Sequence, residues 1–298
     1  IVFGDWSSDV CSSDLVASGK GGTGKTTIAT SLAQSLAGLA NVRYVDCDVE
    51  APNGHLFLKP EFTEITPAVI RIPQIQTEKC TACGRCVEVC EFHALAQVGK
   101  NILVFPQLCH GCGSCTWNCP ENAIIEVPNP IGTIERGMAV EDIEFFRGLL
   151  TISEPMSTPI IRQLKKMMHP QPNTINIYDA PPGASCSVVE TLRGVDFALL
   201  VTEPTPFGLH DLKQMLGILR DMNIPSGVVI NRDGIGDDSL KDILRESNIP
   251  ILLRVPFDRT LAENLAAGRT LVDVYPKYRD ILRELYQKVT EIVGGKAK

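Results

Sequence analysis

The sequence predicts an α/β protein with a mostly parallel sheet and a small cysteine-rich α+β module inserted into it. Three observations carry this. A glycine-rich segment sits between a strand remnant and a helical pattern. Apolar runs alternate with helical patterns over the C-terminal half. Eight of the eleven cysteines crowd into residues 80–119. The 298 residues and 44% hydrophobic content suffice for one large core plus a small module.

The glycine-rich segment, Gly19 to Thr26, reads GKGGTGKT and fits G-x-x-x-x-G-K-[ST], the phosphate-binding loop. Gly21, Gly22, Thr23 and Gly24 turn successive backbone N–H groups towards one anion. Lys25 is placed to reach the β- and γ-phosphates of ATP, Thr26 to put its hydroxyl on Mg²⁺, and Thr27 opens a helix running to Ala37. The spacing of Ile28, Leu32 and Leu36 marks that helix, and its N-terminus favours phosphate.

The alternation then predicts strands at Val42–Val45, Thr174–Tyr178, Phe197–Val201, Gly227–Ile230 and Ile251–Val255, hence a parallel sheet with right-handed crossovers. The first ends in Asp46-Cys47-Asp48, and carboxylates at the C-terminal end of a strand lie where such sheets bind ligands. The second ends in Asp179, followed by Ala-Pro-Pro-Gly183. A strand-ending carboxylate is the pattern that holds Mg²⁺ through a water. Asn231-Arg232 and Pro256-Phe257-Asp258 follow two later strands. An asparagine can pair with both sites of an adenine edge. Glu203, Pro204 and Thr205 fill a neighbouring loop without an assigned role.

Cys80, Cys83, Cys86 and Cys90 follow the spacing C-x₂-C-x₂-C-x₃-C. Cys109, Cys112, Cys115 and Cys119 repeat it, with Pro120 after. This is the run of two-cluster bacterial ferredoxins, in which the fourth cysteine serves the other cluster. It predicts one [4Fe–4S] cluster on Cys80, Cys83, Cys86 and Cys119, and a second on Cys90, Cys109, Cys112 and Cys115. Zinc also uses C-x₂-C pairs but has no use for the doubled rhythm. Glu91 stands where the pattern would have proline. After each fourth cysteine, His93-Ala94-Leu95 and Asn122-Ala123-Ile124 are expected to open equivalent strands. His93 and His110 are read as packing or surface residues.

The motif K-G-G-T-G-K-T, with its additional Lys20, resembles the deviant phosphate loop of the MinD/Mrp superfamily of ATPases. From about Leu15 onward the chain is similar to members of that group that contain an inserted ferredoxin domain. The resemblance implies that Lys20 reaches across a dimer to the partner's nucleotide. It implies that Asp48 activates the attacking water, that Asp46 sits near the Mg²⁺ shell, and that Gly183 offers its N–H to the γ-phosphate. It also implies that the loops at Asn231, Arg232, Pro256 and Asp258 surround adenine. The expected ATPase domain is 15–72 with 129–298, and the expected insert is 73–128.

These features together predict a cytoplasmic, dimeric, Mg²⁺-dependent ATPase. It would form a homodimer or a heterodimer with a homologous chain, coupling nucleotide state to electron transfer through the clusters. Its partner would be a redox protein. The alternatives are an iron–sulfur or metallocofactor assembly factor and a MinD-like positioning ATPase. The net charge of −7 and the lack of clustered basic residues argue against nucleic acid. Lys165-Lys166 and the Lys296–Lys298 tail read as solvated surface. No apolar run approaches the ~20 residues needed to span a bilayer. The amphipathic segment Pro276 to Val293 is expected to dock on the core rather than on a membrane.

Residues Asp5 to Leu15, DWSSDVCSSDL, resemble a translated short-read sequencing adapter. Their polar residues suit a buried central strand poorly. The expectation is that residues 1–14 are foreign, that Cys11 has no functional weight and that most of the first strand is missing.

Overall fold

The computed structural model describes residues 11–235, 244–245 and 248–296. Residues 1–10 of the adapter-like segment and the end of the basic tail lie outside that range. Eleven strands are described: β1 Cys11–Ala17, β2 Asn41–Asp46, β3 Glu61–Ile75, β4 Leu95–Val98, β5 Asn101–Val104, β6 Ile124–Met138, β7 Glu144–Leu150, β8 Thr174–Asp179, β9 Phe197–Thr202, β10 Ser226–Asp233 and β11 Ile251–Pro256. The described helices are α1 Lys25–Leu36, α2 Gly54–Leu58, α3 Arg85–Glu88, α4 Ser114–Trp117, α5 Thr158–Met167, α6 Cys186–Leu192, α7 Pro206–Asp221, α8 Arg259–Ala266, α9 Leu271–Val274 and α10 Tyr278–Lys296.

Among the described residues, nine strands form one sheet in the order β11-β10-β9-β1-β8-β2-β7-β6-β3. Every pairing from β11 to β7 is parallel. Strands β8 and β9 are buried along their whole length, as strands covered on both faces must be. Helices α5, α6 and α7 cover one face. Helices α1, α8, α9 and α10 cover the other. The docked C-terminal helix buries Leu282, Leu285, Tyr286 and Val289, and its Arg279 and Arg283 donate to the C-terminal carbonyls of α1.

The centre of the sheet holds a strand that includes part of the adapter-like segment. Cys11–Ala17 fills the centre of the sheet between β8 and β9. The buried polar residue that argued against this, Asp14, accepts a hydrogen bond from the Tyr286 hydroxyl at 2.8 Å. A partner on α10 therefore answers the burial cost.

Beyond β7 the sheet turns antiparallel. β6 pairs with β7 at one end and with β3 along its whole length, so β3 and β6 form a two-stranded ribbon that outruns the sheet. The expected insert boundaries near 73 and 128 fall inside these strands, so a continuous ribbon, not a linker, carries the cysteine module. Its prolines sit where strands tolerate them. Pro67 and Pro73 lie on the edge strand, and Pro128 and Pro130 lie where β6 has no β7 beside it.

The root of the ribbon is packed by glycine. A Cβ on Gly148 of β7 would stand 2.6 Å from both Ile160 Cγ2 and Val49 Cγ1. Gly148→Ala is expected to destabilise the fold by about 1–3 kcal/mol through overpacking. A urea midpoint equal to wild type would refute this.

Candidate functional site

The phosphate loop leaves the C-terminal end of β1, where the chain order of the strands reverses on either side, the usual position for a ligand crevice. Gly22 at φ +82° and Gly24 at φ +93° occupy left-handed backbone, which explains glycine at both places. A cavity of about 310 Å³ opens beside the loop. Gly22, Gly24, Lys25, Thr26, Thr27, Asn231, Arg232, Pro256 and Asp258, all candidate nucleotide contacts from the sequence, line it. Asn53, Phe57, Phe257, Leu261, Ala262 and Leu265 line it too, and no motif announced them.

Several expected contacts are spent otherwise. Asn231 does not present a free amide edge. Its Nδ2 donates to the Thr23 carbonyl at 2.8 Å, and its Oδ1 accepts the Arg232 N–H at 3.0 Å. It braces the phosphate loop. Glu203 gains a role, holding Arg232 at 3.2 Å. Asp258 caps α8 through the Leu261 N–H and accepts the Tyr275 hydroxyl. The Gly183 N–H, expected at a γ-phosphate, donates to the Ser18 carbonyl at 3.2 Å, which folds the Pro-Pro-Gly segment back on the loop. Gly21 faces Pro182 of that segment.

The carboxylates divide their work. Asp46 is fully buried, and its oxygens accept N–H groups of Asp48, Asn53 and Gly54 at 3.2, 3.1 and 2.9 Å. It anchors the loop after β2. Asp179 is equally buried; its Oδ2 accepts the Tyr44 hydroxyl at 2.7 Å, while among the described residues Oδ1 has no hydrogen-bond partner within 3.5 Å. Lys25 and Thr26 are the groups that favour its charged form most. An orphaned carboxylate oxygen beside a loop threonine is a donor set that fits Mg²⁺. Asp48 is half-buried; burial raises its carboxyl above the usual aspartate range, and the nearby Lys25 charge opposes that rise. Lys20 lies outside the cavity, exposed, with its ammonium 5.7 Å from the Phe207 ring centre.

Burial raises the carboxyl pKa of Asp179 and of Asp46, and the charge of Asp179 raises Asp46 further. The folded chain then holds more protons than the unfolded chain as pH rises above the ordinary aspartate value, so this pair lowers stability with rising pH. In Mg²⁺-free buffer Asp179→Asn is expected to melt above wild type at neutral pH. The gap should close as pH falls toward about 3.9. A pH-independent gap in thermal melts would sink this account.

The cysteines form two groups at the far end of the ribbon. Cys80, Cys83, Cys86 and Cys119 line one small pocket with Ile75, Ile102 and Ile124. Cys90, Cys109, Cys112 and Cys115 line another with Arg71, Phe92 and His110. Each quartet takes its fourth member from the other run. None of the eight is in a disulfide. The halves repeat in detail. His93 and Asn122 have φ of +52° and +50°. Ala94 and Ala123 donate N–H to the sulfurs of Cys90 and Cys119, both at 3.3 Å. β4 and β6 begin at Leu95 and Ile124. Burial raises the thiols of Cys86, Cys109 and Cys115. Among the described residues no group of three or more His, Cys, Asp or Glu side chains is placed to hold a metal ion. Thiols in two quartets are nonetheless the donor type that iron–sulfur groups use. His110 stacks on Phe92 at 3.7 Å between ring centres, and His93 is exposed.

Lys165 departs from its expected solvated role. Its ammonium donates to the Thr191 and Arg193 carbonyls at the end of α6 and lies 4.9 Å from the Tyr178 ring centre. Among the described residues no helix is long and apolar enough to cross a membrane.

Residues 14–272 match the family described as CobQ/CobB/MinD/ParA nucleotide binding domain. Two uncharacterised proteins of Methanocaldococcus jannaschii are each 31% identical, over 93% and 94% of this chain and 96% and 97% of their own lengths. A protein of Pyrococcus abyssi named as an iron-sulfur cluster carrier protein is 22% identical, over 95% of this chain and 88% of its own. The cell division ATPase MinD of Pyrococcus furiosus shares the fold, with a TM-score of 0.56 at 20% identity. That alignment covers 95% of this chain and 99% of the other.

Proposed function

The chain belongs to the CobQ/CobB/MinD/ParA nucleotide-binding family, and from that premise we propose that it is a Mg²⁺-dependent ATPase that couples nucleotide state to electron transfer through two [4Fe–4S] clusters. The observation that carries the reading is the pair of crossed cysteine quartets, each in its own pocket, on a ribbon rooted in the nucleotide-binding sheet. Clusters of this type, when bound, exchange single electrons.

Lys25 would neutralise the β- and γ-phosphates of bound ATP, and Thr26 with Asp179 would hold Mg²⁺. Asp48 orients the attacking water; its buried side favours the proton-accepting role. Tyr44 orients Asp179, and Asp46 sets the loop that presents Asp48. Lys20 serves the nucleotide of a second copy, or of a homologous chain, across a dimer. Exposure of Lys20 and Phe207 on the loop's outer side suits that contact.

The test is anaerobic expression, iron and sulfide assay, and EPR of the dithionite-reduced protein with and without Mg-ATP. About eight irons per chain with coupled cubane signals that change on adding ATP is the expected result. Zinc in place of iron would leave a switch ATPase with a structural insert. Eight irons whose signals ignore nucleotide would remove the coupling.

The relatives named as cluster carriers favour a second reading, supply of clusters or electrons to metallocofactor assembly. Release of iron and sulfide to an apo-acceptor would select it over electron transfer.

A further inference from the structure

Helix α5 lies across the root of the ribbon. Gly132 of β6 and Gly148 of β7 make room for it: a Cβ on either would stand 2.7 and 2.6 Å from Ile160. At mid-helix Gln163 treats β3 as a neighbouring strand would. Its Oε1 accepts the Val69 N–H at 3.2 Å, and its Nε2 donates to the Val69 carbonyl at 3.0 Å. Val69 lies on the edge strand at a register shift in the ladder, and among the described residues no further strand flanks β3 to meet its outward N–H and carbonyl. Two residues further on, the Arg71 carbonyl lies 3.0 Å from where a Cβ of Gly111 would stand, so the loop of the second quartet rests directly on the ribbon backbone.

The other side of α5 is tied to α6. Arg162 makes two hydrogen bonds to Glu190, both 3.1 Å, and Lys165 caps the α6 carbonyls. Helix α6 starts three residues after Gly183, in the segment that folds onto the phosphate loop. A shift of that segment moves α6, and α6 cannot move without pulling on α5.

We propose that Gln163 is the positioning residue through which nucleotide-dependent movement of α6 reaches the second cysteine quartet. This rests on the coupling reading above and names its route. The contacts are continuous from Gly183 to Gly111, and the Gln163–Val69 pair is a backbone attachment between a helix and a strand. A purely packing role would call for an apolar side chain there, as at Ile160, Ile161 and Leu164 on the same helix.

The test is amide hydrogen exchange on the iron-loaded full chain with Mg-ADP and with a slowly hydrolysed ATP analogue. In wild type, protection of residues 66–75 and 124–134 should differ between the two nucleotides by about threefold or more. In Gln163→Leu that difference should vanish, with iron content and nucleotide affinity unchanged. Persistence of the difference in Gln163→Leu overturns the proposal and leaves the coupling reading intact. If Gln163→Leu loosens the ribbon in both states alike, Arg162→Gln decides. Arg162 is half-exposed and touches α6, not the ribbon, so a full nucleotide difference in that variant overturns the route. A wild-type chain with no difference at all overturns both the coupling and the route.

Discussion

Replacing Cys119 with alanine is expected to empty the first pocket and spare the second, although Cys119 belongs to the second run of the sequence. Iron should fall from about eight to about four per chain. The surviving signal should belong to the quartet of Cys90, Cys109, Cys112 and Cys115. Cys90→Ala should give the converse. The reason is geometric: Cys119 lines the pocket of Cys80, Cys83 and Cys86, and Cys90 lines that of Cys109, Cys112 and Cys115. In both variants the magnetic coupling between clusters disappears, because one partner is gone. Cys186→Ala, at an exposed thiol far along the chain, is the control and keeps all the iron. Iron analysis with EPR reads the outcome. If each run served its own cluster, Cys119→Ala would instead cost the signal that Cys112→Ala costs.

Lys20→Ala should lower ATP turnover by about 10³–10⁵-fold, the size of effect seen for a cationic finger supplied in trans. That is roughly 4–7 kcal/mol of barrier. Nucleotide affinity should change little, because Lys20 does not line the cavity of its own chain. Mixing separates trans from cis action. A Lys20→Ala chain keeps its own Lys25, and a Lys25→Ala chain keeps its Lys20. If Lys20 acts across the dimer, the mixture regains activity that neither variant has alone. Steady-state turnover of the mixture reads the result, and no recovery would place Lys20 in its own site or outside catalysis.

Much of the nucleotide site was legible because its chemistry is local. The phosphate loop, the carboxylate ending β8 and the strand-ending loops at Asn231 and Pro256 are short runs with fixed offsets. One cavity gathers Lys25, Thr26, Asn231 and Asp258 from these runs. The grouping of the cysteines around two pockets follows short runs of the same kind. What escaped depends on partners far apart in the chain. Tyr44 meets Asp179 across 135 positions, and Gln163 meets Val69 across 94. Nothing in the neighbourhood of either residue announces the contact. The ribbon escaped for another reason. Its four prolines speak against strands, and only the pairing shows that each sits on an edge or where no neighbour needs its N–H. The partner of Asp14, Tyr286, likewise arrives from the opposite end of the chain.

The ribbon also bears on how such a protein could arise. Its strands leave the sheet and return side by side, with Ile75 paired to Ile124 at the tip. Everything between those two residues is, in topological terms, an enlarged hairpin turn. A short Asn-Gly connection could close the same two strands, since that dipeptide suits a tight hairpin. A chain cut back in this way should keep nucleotide binding and lose all of its iron. The cysteine-rich part is thus an accessory that a lineage can gain or shed at one edge hairpin, without reworking a single interior contact of the nucleotide-binding core.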